Sequence, residues 1–369
     1  MTKTILLSKN EMATLKAKTS AWSPLVAVCD SELDYEVQPL NVINTVSSYT
    51  DTGHDQNQVS DRLSIPASIA YRASLCYQLT GDVKYATNAQ RIIDAWSKTL
   101  RRIEGAEAQS IIGFHWLYLV VAGDWTRGVN GWDGVEFGNY LNDTIIKQSR
   151  IHYQKNISSW WSALTAGIHA YNDNYEGLLS VVDDWKRQVN EQVCDGTADV
   201  CNASYALDMS ATTKLWTLPE ELTRSAEGGS NFNSGATKGQ KGLDYTHFGM
   251  RPWTLCMEIL LKEGINVYET DEAGKLQNVF NKLVGWVIAP VYSPYYARNK
   301  GNLSNVDKVD YFAPLTMRFK PRAGIETEDT NAITSARNVL DYGILGQPIT
   351  GDRWQLDLLF RGNYNPPAG

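Results

Sequence analysis

Between residues 65 and 288, apolar positions recur at intervals of three and four, the period of an amphipathic helix. In IPASIAYRASLCYQL (65–79), Ile65, Ile69, Ala73, Cys76 and Leu79 share one face, and Pro66 suits a first helical turn. Thr80-Gly81-Asp82 reads as a turn. A second helix over 83–101 then places Tyr85, Ala89, Ile92, Ile93 and Trp96 inward, so the two form a helical hairpin. Residues 108–122 and 134–151 predict two more helices. Residues 157–172 and 175–194 predict a second hairpin, broken at Asn172-Asp173-Asn174. Residues 243–264 and 272–288 predict a third, broken at Gly264. Predicted strands are few and short, and the pattern beyond about residue 310 is mixed. Repeated hairpins without internal sequence identity predict an all-α fold, an (α/α) toroid: an incomplete barrel of helical hairpins whose inner helices line a cavity and whose rim loops build a site. An irregular helical domain is the plainer alternative. No low-complexity linker divides the chain, so residues 1–369 are expected to form one domain.

Composition narrows the function. The 369 residues carry a net charge of -7, which argues against a nucleic-acid partner. The same charge fits a polyanionic substrate only if a local basic cleft overrides the total. Twelve Trp and 19 Tyr suit a carbohydrate cleft, because aromatic faces stack on sugar rings, but they equally suit a helical core. No run approaches the length of a membrane span. MTKTILLSKN (1–10) is too short in apolar residues for a signal peptide, although a trimmed mature terminus would look the same. Cys194 and Cys201, in CDGTADVC, are spaced for a local disulfide. No His or second Cys pair completes a zinc set, so no metal and no cofactor is expected. Sequons at Asn142, Asn156, Asn202 and Asn302 are no more than chance supplies.

The densest chemistry lies in LWTLPEELTRSAEGGSNFNSGATKGQKGLDYTHFGMRPWTLCME (215–258). A Pro-Glu-Glu turn delivers Arg224. A Gly/Ser/Asn-rich stretch follows, and then Tyr245 and His247 open an apolar helix. Residues 225–242 have the composition of a mobile rim or lid. Three segments together resemble the alginate lyase superfamily of α/α-toroid polysaccharide lyases. These are AYRASLCYQLTGDVKYATNAQRIIDAWS (70–97), NISSWWSALTAGIHAYNDN (156–174), and PEELTRS with DYTHFGMRPWTLCMEIL. The resemblance covers about residues 65–265. The chain departs from the best-known members in two ways. Asn156 is followed by Ile157 where they carry an Asn-His pair, and the Arg-to-Tyr spacing is stretched by the Gly-rich insert. Both departures point from family five towards family thirty-eight, which includes alginate and glucuronan lyases.

The resemblance implies an acidic polysaccharide substrate cleaved by β-elimination. A uronate gives up its C5 proton only if its carboxylate is neutralised, and Asn156 and Arg224 are the candidates for that work. Tyr245 is the candidate proton donor to the leaving O4 and, in a syn elimination, also the base. A phenol with a reference pKa of about 10 needs cations nearby to act as base. His169 and His247 are alternative catalytic residues. Candidates for substrate binding are His115, Trp116, Trp160, Tyr171, Lys238, Lys241 and Arg251. Each has a plain alternative: His115 and His169 as satisfied core histidines, Asn156 as a helix N-cap, Arg224 as a surface ion-pair residue, and the aromatics as core. Alginate, with poly-mannuronate preferred, is the leading substrate and glucuronan the alternative. A toroid glycoside hydrolase would need two facing carboxylates, for which Glu220, Glu221 and Asp244 are available; a non-catalytic carbohydrate-binding protein would need only the aromatics. A lyase of this class is expected in the periplasm or outside the cell.

Overall fold

A computed structural model of the protein describes residues 4–45, 56–105, 108–152, 155–193, 235–288 and 312–319; for 20–21, 56–61, 155–156, 192, 235–248, 282 and 285–288 the description is of the backbone. Among these residues the fold is all-α. Two helices, α1 (Lys9–Ala17) and α2 (Thr19–Ser31), precede the first hairpin of α3 (Gln56–Thr80) and α4 (Val83–Thr99). Next come α5 (Ala108–Thr126), a short α6 (Val135–Tyr140), and a second hairpin of α7 (Lys155–Tyr171) and α8 (Tyr175–Gln192). A turn at Gly264 then leads from α9 (Gly235–Lys262) to α10 (Asp271–Ile288), which packs against α8, and α11 (Phe312–Arg318) packs back on α9. Two three-residue strands, β1 (Val42–Asn44) and β2 (Arg102–Glu104), pair in parallel.

The hairpin turns follow from local chemistry. Gly81 has φ +77°, a conformation that a Cβ disfavours, and Asp82 caps α4 by accepting from Lys84 N at 3.1 Å. At the second turn Asp173 takes φ +52°, and Asn174 Oδ1 accepts from Gly177 N at 3.0 Å. Gly264, at φ +85°, closes α9. Tyr85, Ala89, Ile92, Ile93 and Trp96 are all buried on α4, as their spacing predicts.

Three boundaries differ from the sequence expectation. α3 begins at Gln56, so Pro66 sits inside the helix and leaves the carbonyl four residues earlier without its helical donor. The helix expected over 134–151 breaks after Tyr140 into a π turn (Leu141–Ile145) and a 3-10 turn (Ile146–Gln148). The break is pinned from outside: Asn172 Nδ2 donates to Gly138 O and to Asn142 Oδ1, tying the segment to the end of α7. α9 begins at Gly235, eight residues before the expected start. The Gly-rich stretch reads as a breaker by composition, but extending an existing helix costs far less than nucleating one.

α3, α5, α7 and α9 form the inner layer, with α4, α8 and α10 outside them. All four inner helices run in the same direction. Tyr71 and Gln78 of α3 meet Tyr118 and Trp125 of α5 in the same order. Gly113 and Leu117 of α5 lie against Trp161 and Gly167 of α7, and Gly167 also faces Ile259 of α9. One buried amide fixes part of this register. Gln188 Oε1 accepts from Ser162 Oγ at 2.9 Å and Trp253 Nε1 at 3.2 Å, while its Nε2 donates to Ile151 O at 2.7 Å. This ring of same-sense inner helices backed by outer ones is an (α/α) toroid.

Candidate active site

Because the inner helices are parallel, their N-terminal ends share one rim. The Gly167–Ile259 contact sets the heights of α7 and α9 relative to each other. By that register Asn156 lies level with residue 248 of α9. Tyr245 stands about 5 Å nearer the rim and Arg251 about 5 Å deeper, at 1.5 Å rise per residue. Lys238, Lys241, Tyr245 and Gly249 are spaced three and four residues apart, one stripe of the helix. Gly249, near the height of Asn156, is buried, and a Cβ added there would meet no described atom within 4 Å. His247 is two residues from Tyr245, roughly 200° around the helix, and falls off the stripe.

His115 lies deeper, on α5. Its ring is surrounded by packed atoms, with Phe114 edge-on at 6.2 Å, yet part of the residue still reaches solvent. Burial lowers its pKa from 6.5 to about 4, so the ring is neutral near pH 7. Arg251 is buried on α9.

Other sequence candidates lie elsewhere. His169 is at the far end of α7, about 20 Å along the helix from Asn156. Its Nδ1 accepts from Asn174 Nδ2 at 3.1 Å, and Gly177 packs so closely that an added Cβ would come within 2.3 Å of the ring. His169 therefore locks the α7–α8 turn and is not part of the rim. Trp116 is fully buried between Trp96 of α4 and Tyr140 of α6, turned towards the outer layer. Trp160 is 3% exposed and packs edge-on to Phe114 at 5.7 Å. Tyr171 is buried, donates to Gly134 O at 3.1 Å and carries the Arg127 guanidinium 3.8 Å above its ring. A sugar platform must present a face to solvent, and these three rings do not. Lys238 and Lys241 lie on the first turns of α9, not on a loop, so the lid expected over 225–242 is helical from Gly235 onward. Asn156 is inside the first turn of α7 rather than at its N-cap. Arg224, Glu220, Glu221, Cys194 and Cys201 lie outside the described residues. Among the described residues no group of three His, Cys, Asp or Glu side chains is arranged to hold a metal, and no helix is long and apolar enough to cross a membrane.

The described residues define an (α/α) toroid whose parallel inner helices bring Asn156, Tyr245, Lys238 and Lys241 towards the same end. The sequence profile of the alginate lyase family matches residues 19–292, well over half of the chain, and the protein belongs to that family. It is a polysaccharide lyase. A crystal structure of an alginate lyase from Bacteroides ovatus superposes with a TM-score of 0.63 at 12% sequence identity, covering 98% of this chain and 99% of that one. At that identity the likeness speaks for the fold. No curated protein matches the chain significantly.

Proposed function

We propose that the protein cleaves a uronate polymer, alginate with a preference for poly-mannuronate, by β-elimination at the rim where α7 and α9 begin, leaving an unsaturated uronate end. The observation that carries this reading is the alginate lyase family match over residues 19–292, which takes in both Asn156 on α7 and Tyr245 on α9. Asn156 and Arg224 hold the substrate carboxylate and stabilise the charge that develops when C5 loses its proton. Tyr245 protonates the leaving O4 and, if base and acid are one group, also removes the C5 proton. Its place on one stripe with Lys238 and Lys241 supplies the cations that favour a phenolate. Arg251 and His115 line the deeper part of the recess. His247 is disfavoured as catalyst by its position around the helix. The substrate class places the working enzyme in the periplasm or outside the cell.

The test is absorbance of the unsaturated product on separate mannuronate, guluronate and glucuronate polymers. Activity is expected first on poly-mannuronate. A preference for the glucuronate polymer would move the assignment to a glucuronan lyase. Chain shortening without the absorbance would indicate a hydrolase, and binding without shortening a carbohydrate-binding protein.

A further inference from the structure

Cys29 lies in α2 and Cys76 in α3, 47 residues apart in the chain. Their Sγ atoms stand 2.7 Å apart, and both side chains are buried. The two are free thiols in this structure, and their spacing is close to the roughly 2.0 Å of a disulfide bond. Contacts that do not involve sulfur hold the two helices in place. Arg72 Nε donates to Glu32 Oε2 at 3.1 Å, with a second contact from Nη2 to Oε1. Asn88 Nδ2 donates to Glu32 O at 3.3 Å, and Tyr85 OH to Asp30 Oδ1 at 2.8 Å. The end of α2 is thus docked on both helices of the first hairpin, and the sulfurs meet beneath that dock.

We propose that Cys29 and Cys76 form a disulfide that staples α2 to the inner helix α3. The oxidant is a small-molecule disulfide of the glutathione class. One cysteine thiolate attacks it and releases one thiol. The second cysteine thiolate then attacks the mixed disulfide and releases the other. Two cysteine protons end on the two released thiols, and two electrons pass to the oxidant. In the folded, reduced protein the adjoining Cys76 sulfur and burial both push the Cys29 thiol up, so it resists exchange. The bridge therefore closes during folding and, once closed, is shielded from reductant. It constrains the unfolded chain by closing a long loop. The proposal is independent of the reaction catalysed.

The test uses the full chain, refolded from denaturant with oxidised and reduced glutathione, alkylated under denaturing conditions and digested with trypsin. Cleavage after Lys18, Arg62, Arg72 and Lys84 puts Cys29 on peptide 19–62 and Cys76 on peptide 73–84. The expected result is a cross-linked pair, two hydrogens lighter than the sum of its parts, that disappears on reduction. Cys194 and Cys201 share peptide 188–214, so a bond between them joins no peptides and is read separately. The oxidised protein is also expected to melt at a higher temperature than protein refolded in reductant, and Cys29→Ala/Cys76→Ala to abolish that difference. Recovery of both cysteines fully alkylated from the folded, oxidised preparation overturns the proposal, as does pairing of either with Cys256.

Discussion

Tyr245 shares a stripe of α9 with Lys238 and Lys241. Tyr245→Phe keeps the ring and removes only the hydroxyl. Turnover is expected to fall roughly 10²–10⁴-fold, the usual worth of general acid–base help. Binding should change little, because the lost interaction belongs to the transition state. Near-normal product formation by a folded variant would remove the tyrosine from the mechanism and shift attention to His247. The aromatic residues show where sequence reading stops at this scale. Trp116, Trp160 and Tyr171 suit a sugar cleft and a core equally well by residue type, and only their neighbours decide. Trp116 meets Trp96, 20 residues earlier, and Tyr171 meets Gly134, 37 residues earlier. His169 was misplaced for a related reason: periodicity puts it on the inner helix but does not say at which end the site lies.

At the scale of elements, the turns were legible because their signals are local. Thr80-Gly81-Asp82 carries both the glycine for a positive φ and the cap for the next helix. The start of α9 was not legible, because glycines at 235, 239 and 242 argue against a helix that its neighbours nevertheless sustain. Lys238 and Lys241 lie on the first turns of α9. Replacing both with Ala should weaken binding of a polyanion and flatten its dependence on salt, since each lysine contributes a screened charge. Unchanged affinity and unchanged salt slope would exclude that role. On α5, Asp124 anchors the N-terminal segment by accepting from Ile5 N at 2.9 Å. Burial raises its carboxyl from 3.8 to about 7. The folded protein therefore holds a proton that the unfolded chain has released between these values, and this contribution to stability is lost as pH rises through about 7. Asp124→Asn keeps an acceptor for Ile5 and removes the titration. Urea unfolding at pH 5 and pH 8 should show the wild type losing more stability than the variant over that interval; equal losses would rule Asp124 out as the source.

For the whole molecule, the ends of the described chain meet in one buried ionic cluster. Glu258, fully buried on α9, accepts from Arg318 of α11 and from Tyr268 OH at 2.7 Å. Glu11 of α1 accepts from Lys262 Nζ and from Arg318 Nη2, each at 2.8 Å. Removing one partner leaves the others as uncompensated buried charges, so Glu258→Gln should destabilise by about 3 kcal/mol. We propose that residues 1–369 unfold as one domain. Helix content and tryptophan fluorescence should then report one coincident transition in the wild type, shifted as a whole in the variant, whereas two separated transitions would divide the chain. The parallel sense of the inner helices also bears on the chain's charge of -7. Each α-helix carries about half a positive elementary charge at its N-terminus from its aligned peptide dipoles. The four inner helices point those positive ends to the same side of the ring, with the N-terminus of α9 about 20 Å beyond that of α7. On that side the backbone itself sets a positive contribution against a chain whose total charge is negative.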